Sequence, residues 1–281
     1  MVPEVAVATR IPELLVCHGV LDTPTFAERV AAAASADIQA VALDMDRRKR
    51  HHRLGETDES MRRDAAAVGV RVDEIWTLYA LDHTNAARTL AYADRLIEVA
   101  AFFGARMIGA PSDYDGNLEA SAALLGEIAD RAAAAGLRIG LEPNAVSRLD
   151  DVAVASDIVE ACGRDNVGLV LDIWHLCRGR STMAAIKSLS VPVEVLQLNN
   201  GTFARNDPDP WVEVYRYRQL PGEGEFDAAG ITRAVLRSHP DVRFGAEVGT
   251  DELNALEAKA AAARIATGMR SFLATVVAGG M

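Results

Sequence analysis

A chain of 281 residues, half of them hydrophobic, is near the size of one α/β barrel and can bury a large core. Its 29 Lys and Arg against 40 Asp and Glu give a net charge of -11, the wrong sign for long-range attraction to a nucleic-acid backbone or an anionic membrane. The three cysteines (Cys17, Cys162, Cys177) show no paired spacing, no apolar run nears the roughly 20 residues that span a bilayer, and the N-terminus does not read as a signal peptide. The expectation is a soluble, cytoplasmic protein with reduced thiols and no nucleic-acid or membrane partner.

In chain order, strand-like apolar runs begin near Glu4, Ile38, Val70, Arg106, Leu137, Val167, Val193 and Val242. Ala- and Leu-rich stretches of helical spacing lie between them, such as Leu90, Ala93, Ile97 and Ala100 on one face and Leu124, Leu125 and Ile128 on another. Alternation at mostly thirty-odd residues, with no linker, predicts one (β/α)8 TIM barrel over residues 1–281. Asp22-Thr23-Pro24, Asp58 and Thr84 are candidate helix starts, and Gly104 and Gly136 candidate stops. The basic run Arg47-Arg-Lys-Arg50 reads as a solvated face on so acidic a chain. His51 and His52 follow it, and His18 and His83 also fall in or near loops. The last helix, about 251–277, carries Leu253, Leu256, Ile265, Met269, Phe272 and Val276, enough to close the barrel or to meet another subunit.

One interval is long: about fifty residues separate the starts of the last two strands, with the excess between Asn199 and Phe226. A long connection in a compact domain points to function. It carries Arg205, Trp211, Tyr215, Arg216, Tyr217 and Arg218, then Pro221-Gly-Glu-Gly-Glu225, which reads as a tight turn before a helix capped by Asp227 and not as a phosphate cradle.

The last four strands each end at a side chain with a metal-binding oxygen: Glu142, Asp172, Gln197 and Glu247. Parallel strands open their carboxyl ends on one face, so these residues, distant in sequence, can meet there around one divalent cation. Any one of them alone reads as a helix cap or solvated residue, and Gln197 as an amide bonded inside the barrel mouth. The set of four carries the inference, since clustered carboxylates are costly without a cation. All-oxygen ligands favour Mg2+ or Mn2+, with Co2+ or Zn2+ also open. A cation bridging the oxygens of an α-hydroxy ketone would stabilise an enediolate, with two glutamates as base and acid. His175 could orient a substrate hydroxyl, join the metal shell or pack. Trp174, and Trp76 or Tyr79 at the third strand's exit, could wall a sugar face, although core packing is the default for each.

Leu141-Glu142-Pro143, Leu171-Asp172-x-x-His175, Arg218-x-x-Pro221-Gly-Glu-Gly-Glu225 and Gly245-Ala-Glu247-Val resemble the motifs of the xylose isomerase-like TIM barrels, in particular the sugar phosphate isomerase/epimerase group. The resemblance implies that Glu142, Asp172, Gln197 and Glu247 bind the metal and that Glu142 and Glu247 double as the proton-transfer pair. It places His175 and Arg218 on the substrate. Many members carry His where Gln197 stands, whereas the hydroxypyruvate isomerase-like branch resembles this chain in using Gln; Asp is common where Asn199 stands. The expected activity is metal-dependent isomerisation or epimerisation of a small carbohydrate-like substrate. The alternative is a lyase resembling 3-dehydroshikimate dehydratase or inosose dehydratase. A nuclease resembling endonuclease IV is disfavoured by the charge and by the lack of a His-rich cluster, and a non-catalytic sugar-binding role is the remaining reading.

Overall fold

The computed structural model describes residues 13–279. Eight parallel strands, β1 (Leu14–Val16), β2 (Ala40–Asp44), β3 (Arg71–Trp76), β4 (Met107–Pro111), β5 (Arg138–Glu142), β6 (Val167–Asp172), β7 (Val193–Leu198) and β8 (Arg243–Ala246), pair in sequence order and close on themselves. The predicted (β/α)8 TIM barrel is therefore the observed one. Closure is made by β1 on β8, with Val16 in register with Ala246. The run near Glu4, expected as the first strand, lies outside the described residues. The first described strand comes ten residues later, at Leu14–Val16, a run with no polar position to expose, as a strand buried on both faces requires.

Helices cover the barrel with apolar faces. Ala93 and Ala100 are buried, as are Leu124, Leu125 and Ile128, while Leu90 and Ile97 pack at the edge of the core. One helix starts at Asp58 as expected, and the other starts fall a residue or more from the expected ones. Thr25, not Asp22-Thr23-Pro24, caps the first helix through a capping box with Glu28, and Thr57 caps the helix Asp58–Ala67. Thr84 lies in a short 3-10 turn ahead of the helix Ala86–Phe103. Gly104 ends that helix with φ at 68°, a left-handed turn glycine makes without strain. The expected last helix is two, Asp251–Asn254 and Ala258–Ala278; the longer buries Ile265, Met269, Phe272 and Val276, whereas Leu256 in the break is exposed.

The barrel interior is built around Trp76, with Leu15, Ala40, Ala42, Met107, Val170 and Val195 about it. Glycines on neighbouring strands make room. A Cβ at Gly109 would stand 2.2 Å from the Trp76 ring, and one at Gly140 would stand 2.6 Å from Met107 Sδ and Val170 Cγ2. The core-packing reading of Trp76 is the correct one. Gly109→Ala should cost about 1–3 kcal/mol, because an indole fixed in a packed barrel has nowhere to move. A melting temperature within a degree of wild type would show that the ring shifts freely.

Two strands each hold one extra residue where pairing shifts register, Asp73 in β3 and Glu194 in β7. Both meet arginines: Asp73 faces Arg71, Arg106 and Arg243, and Glu194 faces Arg138. Beside Asp73, Glu74 is fully buried, accepts a bond from the Trp76 indole N–H at 2.9 Å and lies 3.5 Å from Arg243. Burial, outweighing Arg243, pushes its carboxyl up to about 7. The folded chain thus keeps a proton there that the unfolded chain releases near ~4.3, so the stability Glu74 contributes at acid pH is lost as pH rises through about 7. Glu74→Gln, which keeps the indole's acceptor, should melt higher than wild type at pH 8, by roughly 2–4 kcal/mol. Near pH 4 the two should coincide, and a variant less stable than wild type at pH 8 would refute this account.

Candidate active site

Strand ends place the site. Glu142 and Asp172 are the last residues of β5 and β6, Gln197 is the penultimate residue of β7, and Glu247 follows β8 directly. Asp172 stands opposite Gln197, and Gln197 opposite Gly245. All four side chains are buried.

Asp172 does two things at once. Its Oδ1 caps the helix Ile173–Arg178 by accepting from the His175 backbone N–H, which fixes His175 one turn above it, and accepts from Asn199 Nδ2 at 2.9 Å. Glu142, Asp172 and His175 each present a ligand-competent atom, all within 4.8 Å of one another. Asn144 reaches Glu142 Oε2 at 3.5 Å.

Arg218 joins these to Glu247. Its Nη1 lies 3.0 Å from Asp172 Oδ2 and 3.1 Å from Glu247 Oε1, and donates to the Glu247 carbonyl at 2.9 Å. The long segment after β7 carries it there. Antiparallel bridges Asn200 to Gln219 and Tyr217 to Thr250 flank Arg218, and its N–H donates to Gly249 O, so the segment is pinned to the mouth on both sides. The remainder of that segment forms the helix Pro210–Arg216 and, as expected, a glycine turn before a helix capped by Asp227. Arg216 pairs with Asp251 at the surface, and Arg205 is exposed.

Burial, with Glu247 and Asp172 adding repulsion, holds the Glu142 carboxyl well above the usual carboxylate range. Asp172 goes the other way: burial would raise it, but Arg218, His175 and Asn199 together hold it below the ordinary value. Burial lowers His175 to about 4, so its imidazole is neutral near pH 7. Burial would lower Arg218, yet Asp172, Glu247 and Glu142 raise it, keeping it cationic.

Several buried polar atoms stay unsatisfied: Gln197 Oε1 and Nε2, Glu247 Oε2, Asn199 Oδ1 and Asp172 Oδ2. The last is near enough to Arg218 for charge attraction but accepts no directed bond, which leaves it a free lone pair. Buried oxygens left without donors cost free energy that a cation would recover. With all three carboxylates ionised, as metal binding would require of Glu142, they and the one guanidinium would sum to two negative charges, the amount a divalent ion neutralises. The donor set therefore fits such an ion.

Of the remaining expected residues, Trp174 is buried, packs edge-on against His175 at 5.2 Å, and lies near the guanidinium carbons of Arg178 and Arg218 at 5.5 and 5.6 Å. It props the site residues and exposes almost no face of its own. Tyr79 is exposed, whereas the Trp76 ring stacks on His18 at 4.9 Å. Three residues around the exits of β1 and β2 escape a reading based on strand ends. Cys17 follows β1 and bonds through its backbone N–H to Ala246 O; its buried thiol is pushed up by burial and then by Glu247. His18 comes next. Arg29, buried without a carboxylate partner among the described residues, donates to the carbonyls of Cys17, Val20 and Ala42 and so ties the exits of β1 and β2 together. The bond from Cys17 to the last residue of β8 could be found only once the barrel was closed.

The chain belongs to the xylose isomerase-like TIM barrel family, whose model matches residues 30–273. It is 29% identical over 192 residues to a 3-dehydroshikimate dehydratase of Pseudomonas aeruginosa, a match covering 66% of this chain and 30% of that relative's length. The chain thus spans under a third of that curated relative. Among solved structures it resembles the IolI protein with a bound zinc atom, with TM-score 0.82 at 15% identity, covering 94% of this chain and 99% of the other. It also resembles an L-ribulose 3-epimerase, with TM-score 0.67 at 17% identity, covering 96% and 98%. These likenesses include both an epimerase and a dehydratase. No described helix is long and apolar enough to cross a membrane.

Proposed function

We propose that the chain is a divalent-metal-dependent isomerase or epimerase that moves a proton next to the carbonyl of a small sugar, keto-sugar or hydroxy-carbonyl acid. The observation carrying this reading is the buried, under-satisfied ring of oxygens at the mouth, with a charge that calls for one more divalent cation. Glu142, Asp172, Gln197 and Glu247 would hold it, with His175 close enough to contribute. When bound, such an ion polarises a carbonyl and stabilises the enediolate that forms as the neighbouring proton leaves. Mn2+ or Mg2+ suits the oxygens; the IolI protein's zinc and the nearby His175 nitrogen keep Zn2+ and Co2+ among the metals to be assayed.

The chain's own residues divide the remaining work. Glu142 on β5 and Glu247 after β8 stand on different sides of the mouth, one to take the proton and the other to return it. Arg218 holds Glu247 through both its carboxylate and its carbonyl, and its positive charge would stabilise negative charge developing on the substrate. His175, neutral, offers a ring nitrogen to a substrate hydroxyl. Burial of these groups keeps bulk water from competing for the proton.

A second reading has specific support in the 3-dehydroshikimate dehydratase likeness: proton removal followed by loss of a hydroxyl. Incubating the purified chain with Mn2+ and a set of keto-sugars and cyclic keto acids separates the two. Product of unchanged mass supports the isomerase; a product lighter by one water selects the lyase. Absence of turnover across the set with every metal tried would sink both.

A further inference from the structure

Beyond Glu247, across β1, the mouth continues into a cavity of about 460 Å3 that the chemistry above leaves unused. His18, stacked on Trp76, forms its near wall, and the helix Met45–Arg53 its far wall. The basic run here is only partly the solvated face expected from sequence: Lys49 is 58% exposed, whereas the Arg47 side chain is 15% exposed, held by Asp22 at 3.2 Å and Asp44 at 3.3 Å. Asp44 is already engaged, since it caps this helix, and Asp22 is shared with Arg50. Arg53, also lining the cavity, makes no ion pair among the described residues, and Asp46 pairs with Lys49 instead. The arginines therefore exceed their carboxylates by one, on a chain of net charge -11 and beside a mouth crowded with carboxylates.

Three phenols converge on the same space. Tyr79, Tyr92 and Tyr215 line it, and none of their hydroxyls has a hydrogen-bond partner among the described residues. The charges felt by Tyr215 include Glu247 and Arg218 on one side and Asp44 on the other, so it sits where site and cavity meet. A volume of this size takes a group of several heavy atoms and not a lone ion.

We propose that this cavity is the subsite for an oxyanion, a carboxylate or a phosphate, at the far end of the substrate, recognised by Arg47 and Arg53 with the hydroxyls of Tyr79, Tyr92 and Tyr215. The inference rests on the proposed function above, since it names which end of the substrate lies away from the metal. It also sets orientation. The carboxylates of the mouth repel the anionic end, the arginines attract it, and the carbonyl is left facing Glu142 and Glu247.

Calorimetry on Mn2+-loaded protein with two matched pairs tests it: shikimate against methyl shikimate, and D-fructose 6-phosphate against D-fructose. The charged member of one pair should bind about tenfold to a hundredfold more tightly than its neutral mate, the factor a charged hydrogen bond is worth, and the pair that responds distinguishes carboxylate from phosphate. Arg47→Gln should bring that pair close to parity. Because Arg47 also braces Asp22 and Asp44, the exposed Arg53→Gln serves as the second variant and should cut the preference severalfold without moving the melting temperature. Equal binding within both pairs, no binding of any probe, or a preference that survives both substitutions overturns the subsite. Mn2+ uptake, followed by paramagnetic resonance on the same samples, reads the metal centre separately. Intact uptake without charge preference removes the subsite alone, whereas no uptake removes the reading beneath it.

Discussion

Glu142→Gln and Glu247→Gln should each lower turnover by about 10²–10⁴-fold, the range that a positioned acid or base supplies. Both substitutions keep the size and one acceptor oxygen of the side chain, so Glu142→Gln retains the contact with Asn144 and Glu247→Gln the proximity to Arg218. What each loses is an oxygen able to take a proton. An amide already stands in the ring at position 197, so replacing one more carboxylate should weaken Mn2+ uptake less than it weakens turnover. That inequality separates a proton-transfer role from a purely ligating one. Turnover within threefold of wild type in both variants, with Mn2+ saturating, would leave the two glutamates without a chemical role.

The second large effect falls on stability. Arg218→Met removes the one guanidinium between Asp172 and Glu247, leaving two buried carboxylates facing each other; losing one partner of a buried pair costs about 3–5 kcal/mol. Mn2+ should return most of that loss, because a divalent ion restores the missing positive charge and binds only the folded state. The sign of the pH dependence follows from Asp172. Its folded value is depressed, so its stabilisation is present above the unfolded value near ~4 and lost as pH falls through the folded one. The gap between wild type and Arg218→Met should be widest near neutral pH and narrow below ~4. Thermal melts across that range with and without Mn2+ check both claims, and a variant as stable as wild type without metal would show that Arg218 does not balance these carboxylates.

The barrel was legible in the sequence because a strand covered on both faces has no polar position to spare, and runs such as Val167-Gly-Leu-Val-Leu stand out at a fixed period. Their exits were legible for the same reason: Glu142 and Asp172 are the first polar residues after an apolar run. The mouth's other half was not. Cys17 and His18 come up beside Glu247 through closure of the first strand on the last, a contact between ends of the chain more than two hundred residues apart, and Arg29 ties the β1 and β2 exits together. Arg47 misled for a simpler reason. A run of four basic residues looks solvated until Asp22, from another loop, is folded against it. Asn199 had no signal in strand periodicity either; its amide matters only because Asp172 stands beside it.

With an indole filling the waist of the barrel and a carboxylate locked to an arginine just past it, the protein is a closed cup and not a tube. In the proposed reaction, reactant, product and any exchanging hydrogen would have to share one doorway, at the carboxyl ends of the strands. A hydrogen lifted from one carbon in that reaction would meet solvent only through this opening, and how well the opening is filled would decide whether the same atom is handed back.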